Sequence, residues 1–234
     1  MAYPPTSPTP ASSPHPALPP SLTDADAIAT SDWEAFSSIR SMVNHWDRPG
    51  WTPGRRSYHW FLTFPDAPDL ASTAAELQAE LAHFRLDVIP ADGLHITMAK
   101  LGFTDEVTDE HLSTAIGATE RACAAIGAFD LRVIPLAGSP GAVRFSVAPW
   151  APLTAIRDAL PTAPSGSAFR PHLGIAYSNR TMPAKPVIDA VAALRSRESV
   201  SLPVGELHLV ELRREHRTYR WDLVKSFLLG TSTH

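Results

Sequence analysis

Phe169-Arg-Pro-His-Leu-Gly-Ile-Ala-Tyr-Ser-Asn179 is a short apolar run with one histidine, His172, near its start. Pro171 stands at the start of an apolar run, where a strand best tolerates a missing N–H. If residues 172 to 177 are extended, side chains alternate between faces. Leu173, Ile175 and Tyr177 then share one face, and His172, Gly174 and Ala176 the other. A histidine among such small residues is left room to touch something. Earlier in the chain, Leu94-His-Ile-Thr-Met-Ala99 repeats the theme, with His95, Thr97 and Ala99 opposite Leu94, Ile96 and Met98. Two strands, each offering one histidine from a small-residue face, set the hypothesis.

The 234 residues suit one globular domain with a tail, and 44% hydrophobic with 19% charged residues is ordinary for a soluble protein. A formal net charge of −4 excludes a general nucleic-acid coat, which would be basic, but not a site for one nucleotide or RNA end. The single cysteine, Cys123, excludes an intramolecular disulfide and a multi-cysteine zinc cluster. No run approaches the roughly 18 apolar residues of a membrane span, and no signal peptide is legible. The expectation is a cytoplasmic monomer.

Eight prolines among residues 1 to 20 mark a segment unable to bury enough apolar surface to offset its ordering, so residues 1–22 read as a disordered tail. Residues 23–234 read as a single two-lobed domain. Trp33, Phe36, Ile39 and Val43 predict a helix from Thr23 to about Asp47. Strands follow at 58–64 and around His95, with a helix at 72–85 between them and another at 109–126. A hairpin of 129–136 with 142–148 comes next, then a helix at 152–160 and a flexible loop at 161–167. After the His172 strand, a helix at 186–197 precedes strands at 199–202, 206–213 and 218–229. Interleaved helices and hairpins predict an α+β fold with antiparallel sheets. The two halves rhyme, each leading from a helix into a histidine strand.

Two imidazoles across a cleft suit in-line transfer at a phosphodiester. One takes a proton from the attacking oxygen, and the other gives one to the leaving oxygen. Thr97, two residues after His95, shares its strand face and can hydrogen-bond a phosphate oxygen. No HExxH, GxSxG, Walker A or GxGxxG is present. Metal-free acid–base chemistry therefore leads, with no cofactor. Substrate-binding candidates are Gly174, Tyr58 and Trp60 (base stacking or core), Arg56 (phosphate or a solvated turn, like Arg55) and Arg144. Arg213, Arg214 and Arg217 read as an exposed hairpin end, and His59, His83, His111, His208 and His216 carry no motif.

His95-Ile-Thr-Met98 and Arg170-Pro-His-Leu-Gly-Ile-Ala-Tyr177 resemble the paired signatures of the two-histidine phosphoesterases, and most resemble 2′-5′ RNA ligase family proteins of actinobacterial type. Arg48-Pro-Gly-Trp51, Gly54-Arg-Arg56, Tyr58-His-Trp60, Gly102-Phe-Thr-Asp105 and Tyr219-Arg-Trp221 extend the resemblance over roughly residues 33 to 230. It implies a pseudo-symmetric two-lobed fold around a cleft. It also implies metal-independent opening of 2′,3′-cyclic phosphates, or formation and cleavage of 2′-5′ linkages, at a nucleotide or RNA terminus. His95 and His172 would be the acid–base pair, and Thr97 would orient the phosphate. The chain departs from the pattern at Gly174, where the family has Thr or Ser. Either Gly174 lets the substrate or its own backbone N–H approach closely, or a water, or Ser178 if the strand bends, replaces that hydroxyl. The alternative reading is a nucleotide- or RNA-end-binding protein with weakened catalysis.

Overall fold

The computed structural model describes residues 17–161 and 169–230. Its helices are α1 (Ala25–Ser37), α2 (Pro68–Glu80), α3 (Asp109–Ala124), α4 (Ala151–Ala159) and α5 (Lys185–Ala193). The strands up to the hairpin are β1 (Ser41–Met42), β2 (Arg56–Thr63), β3 (Asp87–Val88), β4 (His95–Phe103), β5 (Phe129–Ser139) and β6 (Ala142–Ala148). The remainder are β7 (His172–Tyr177), β8 (Met182–Pro183), β9 (Val200–Val204), β10 (Glu206–Glu215) and β11 (Thr218–Leu228).

Two antiparallel sheets carry the fold, ordered β11-β10-β2-β4 and β3-β7-β6-β5-β9. This is the α+β architecture expected. α3 and α4 pack on the four-stranded sheet, while α1, α2 and α5 pack on the five-stranded one. The sheets meet where β4, an edge strand, lies against β7. The two histidine strands are therefore neighbours, although 77 positions separate His95 from His172.

α1 starts at Asp24, whose carboxylate accepts from the N–H groups of Asp26 and Ala27. Phe36 on its buried face packs onto Gly138, where a Cβ would collide with the ring. The helix stops at Ser37, well short of Asp47. The N–H groups of Val43 and His45 instead donate to the carbonyls of Pro140 and Ser178, both at 2.7 Å. With β1 paired to β8, these bonds turn residues 38 to 51 into a strap from the five-stranded lobe to the four-stranded one. Spacing by threes and fours did not reveal this, because tertiary hydrogen bonds replace the helical ones.

Residues 17–22, expected in the tail, belong to the fold. Pro19 is buried, Ala17 accepts from Arg170 at 2.7 Å, and Leu22 accepts from the N–H of Trp150 at 2.7 Å. The rest of that expectation (residues 1–16), and the loop expected at 161–167 from residue 162 on, lie outside the described residues. Among the described residues no helix is long and apolar enough to cross a membrane.

Candidate active site

His95 opens β4 and His172 opens β7, and each uses its own backbone in the same way. The Nδ1 atom of His95 lies 2.7 Å from the carbonyl of Gly93, and that of His172 lies 2.9 Å from the carbonyl of Arg170. A carbonyl only accepts, so Nδ1 carries the proton in both rings. Each neutral ring then keeps its Nε2 lone pair free. Neither Nε2 has a hydrogen-bond partner among the described residues, and both rings line one cleft of about 340 Å³. Phe61 stacks on the His95 ring at 4.1 Å, and Trp221 meets it edge-on at 5.2 Å, which fixes its plane.

Burial pushes the pKa of His95 down to about 4, against a smaller opposing pull from its bond to Gly93. His172 is exposed within the cleft. The walls around it and the Arg144 guanidinium lower its pKa as well. Both shifts favour the neutral imidazole at neutral pH. Thr97, exposed to the cleft, has a hydroxyl with no partner among the described residues.

Gly174 lines the same cleft. Ser178 does not replace the hydroxyl missing there, because it is fully buried and donates to the Arg180 carbonyl at 3.0 Å. Tyr177 does line the cleft, contrary to strict alternation along the strand. The β6–β7 register passes from Arg144 opposite Gly174 to Val143 opposite Ala176, leaving Ile175 as an extra residue. Such a bulge reverses the parity of every later side chain.

The structure places the remaining sequence candidates outside the cleft. Trp60 is fully buried in the core, and half-buried Tyr58 packs against that core from the same strand face. The neighbouring positions, His59 and Phe61, face the cleft instead. Alternation put 58 and 60 together correctly, but which face of the sheet is concave is a property of the whole sheet. Arg56 is ion-paired with Glu211, and Arg55 with Asp105 and Glu106. Arg144 is buried and 3.5 Å from the carboxylate of Asp32. It acts on His172 through its field and forms no part of the cleft lining. Asp32, fully buried on α1, also accepts from Ser146 at 2.6 Å and from Arg170 at 3.0 Å. An aspartate between Ile28 and Phe36 on the apolar stripe of α1 was the sequence signal for this network.

Sequence reasoning named none of His45, Arg48, Trp51, Arg214 and Tyr219 as a site residue, although Arg48, Trp51 and Tyr219 stand in stretches that carry the family resemblance; all five line the same cleft. The strap carries His45, Arg48 and Trp51. Arg214 was expected on an exposed hairpin end. Instead it folds inward, donating to the Trp46 carbonyl at 2.9 Å and to the Tyr219 hydroxyl at 3.2 Å. His45 stacks on Tyr177 at 3.9 Å and sits 3.2 Å from the same hydroxyl. Burial, then Arg48 and Arg214, push its pKa down to about 3. The cleft lining holds two arginines and four histidines but no carboxylate, in a chain of net charge −4. Among the described residues no group of three or more His, Cys, Asp or Glu side chains is placed to hold a metal ion.

Two antiparallel lobes meeting at a paired-histidine cleft define a two-histidine phosphoesterase-type protein. The sequence profile of the 2′-5′ RNA ligase superfamily matches residues 64–216, more than half the chain, and the chain belongs to that superfamily. Its fold is similar to LigT from E. coli, solved with phosphate, at a TM-score of 0.57 and 17% identity over 76% of this chain and 99% of that one. LigT solved with 3′-AMP aligns at a TM-score of 0.57 and 16% identity, over 75% and 99%. TT0787 of Thermus thermophilus aligns at 0.53 and 16%, over 76% and 100%. A comparison with curated protein sequences returned no match.

Proposed function

We propose that this protein is a phosphodiesterase that uses His95 and His172 as its acid–base pair on a 2′,3′-cyclic phosphate or a 2′-5′ linkage at a nucleotide or RNA terminus. The observation that carries the proposal is the matched pair of rings, each fixed with Nδ1–H on a carbonyl and Nε2 open to one cleft. An entering anionic phosphate favours protonation of one imidazole. That ring then donates from Nε2 to the leaving oxygen, while its neutral partner accepts a proton at Nε2 from the attacking water or hydroxyl. Thr97 donates to a non-bridging oxygen and holds the phosphorus in line. LigT has been solved with phosphate, 3′-AMP, ATP and NADP+, which supports a nucleotide-type ligand for this fold.

The test is hydrolysis of 2′,3′-cyclic AMP by the purified protein in the presence of EDTA. His95→Asn and His172→Asn should each lower kcat/KM by about 10²–10⁴-fold, the range for general acid–base catalysis. Full activity in both variants would remove the proposal.

Gly174 favours a second reading, a nucleotide-end-binding protein with slow catalysis, because the strand position that carries a hydroxyl in the family carries none here and Ser178 is turned away from the cleft. Under this reading the protein binds adenosine 2′-phosphate or 3′-phosphate but shows no EDTA-resistant turnover. Measured turnover decides against it.

A further inference from the structure

We propose that Arg48 and Arg214 form a second anion subsite in the cleft, which takes the phosphate next to the scissile one. The preferred substrate is then an oligonucleotide end with at least two phosphates, not a mononucleotide. The inference rests on the phosphoesterase reading of the same cleft.

The first support is the state of the two charges. Arg213 is held by Glu215 and Asp222, whereas Arg214 turns to the opposite face of β10 and meets no carboxylate among the described residues. Its Nε is buried without a hydrogen-bond partner. Arg48 likewise has no carboxylate partner there, and its Nε donates to the His45 carbonyl at 3.2 Å. Backbone carbonyls and the Tyr219 hydroxyl aim both groups, and the Trp51 ring lies 4.4 Å beneath the Arg214 guanidinium. Planar guanidinium groups fixed in this way, with their charge unspent, suit a phosphate. The cleft offers them no internal anion.

The second support is distance. On β10, His208 is opposite Phe61, which is itself opposite Thr97. Arg214 lies six positions further along β10, roughly 20 Å at about 3.3 Å per residue. That is beyond the reach of an arginine side chain, so a phosphate held by Thr97 and the two catalytic rings is not the one Arg214 meets. The charge couplings agree: both arginines act on His45, and neither is among the groups that shift His95. His45, stacked on Tyr177, feels the charges of both arginines and of both catalytic rings. Arg48 precedes the 64–216 span of the family match, and the strap carries it into the cleft.

The experiment titrates the full-length protein with a 2′-5′-linked diadenosine monophosphate and with its 5′-phosphorylated and 3′-phosphorylated forms, following binding and cleavage of each. One phosphorylated form should bind at least tenfold more tightly than the unphosphorylated dinucleotide. Its salt dependence should be steeper by about 0.7 in log–log slope, as one further phosphate contact requires on a single strand. In Arg48→Gln/Arg214→Gln the gain should shrink to within twofold. No gain in the wild-type protein, an unchanged salt slope, or a gain that survives in the double variant overturns the subsite. The wild-type salt slope decides even where the double variant does not fold. Cleavage without any effect of the extra phosphate removes the subsite and leaves the phosphodiesterase reading. Phosphate-dependent binding with neither cleavage of any of the three nor hydrolysis of 2′,3′-cyclic AMP removes the phosphodiesterase reading and leaves the subsite.

Discussion

His95 and His172 occupy the first residue of β4 and of β7, and each donates its Nδ1 proton to the carbonyl two residues back, at 2.7 Å and 2.9 Å. The same local device therefore sets the same tautomer on both sides of the cleft. Neither ring needs a carboxylate partner to orient it, so both remain neutral until a ligand brings negative charge. The testable consequences concern the rings, the hydroxyl beside one of them, the glycine beside the other, and the buried aspartate behind His172.

Thr97→Val keeps the shape of the side chain and removes its hydroxyl. A hydrogen bond to a charged group contributes about 1.5–3 kcal/mol, which corresponds to about a ten- to hundredfold fall in kcat/KM. Steady-state hydrolysis of 2′,3′-cyclic AMP measures this, and an unchanged rate would take Thr97 out of the reaction.

Gly174→Ser should raise kcat/KM by about tenfold, by supplying the missing hydrogen bond to the phosphate. The new Cβ would lie 3.0 Å from Cδ1 of Ile89 and 3.8 Å from Cε1 of Tyr177. Only the tip of Ile89 has to move, so the loss of stability should be about 1 kcal/mol, at the low end for overpacking. Adding Ile89→Val should recover much of that loss. A denaturant titration beside the kinetic assay separates the two effects, and a slower enzyme of normal stability would contradict the expectation.

The pH profile follows from the depressed pKa values. The free enzyme must hold one proton on the pair, and the His95 pKa is about 4, with that of His172 also lowered. At higher pH the protonated fraction falls tenfold per unit. Between pH 8 and pH 6, kcat/KM should therefore rise close to tenfold for each unit of acidification. A flat profile there, or a maximum near pH 8, would show that neither ring serves as the acid.

Asp32→Asn tests the network behind His172. The carboxylate is the shared partner of Arg144 and Arg170, which are 6% and 12% exposed at the side chain. Removing one member of a buried pair costs about 3–5 kcal/mol, because the remaining charge is left uncompensated. Equilibrium denaturation should show a loss of that size. Replacing Arg144 by Met together with Asp32→Asn should recover part of it, and no recovery would place the loss elsewhere.

The acid limb of stability has a sign of its own. His45 and His95 are buried, and their pKa values in the folded protein fall from 6.5 to about 3 and about 4. Below pH 6.5 the unfolded chain binds protons that the folded protein refuses, so stability falls as pH drops toward 4. Each such ring contributes at most about 1.4 kcal/mol per pH unit. His45→Gln should flatten the fall by up to that amount, as measured by denaturant midpoints at pH 4, 5, 6 and 7. An equally steep fall would show that His45 is not held neutral.

Much of this protein is legible in its sequence. The His95 and His172 strands, the free hydroxyl of Thr97, the alternation of helices with antiparallel pairs and the glycine at 174 follow from local rules of periodicity and side-chain chemistry. Tertiary structure decided the rest, for reasons local rules do not contain. The bulge at Ile175 turned Tyr177 into the cleft, because one extra residue reverses the parity of a strand. The curvature of the four-stranded sheet sent Trp60 into the core and His59 and Phe61 toward the ligand space. Long-range hydrogen bonds to Pro140 and Ser178 made a strap of what periodicity reads as helix, and so delivered His45, Arg48 and Trp51. The chain by itself determined which groups can do chemistry; only the packing of one sheet against the other determined which of them share a cleft.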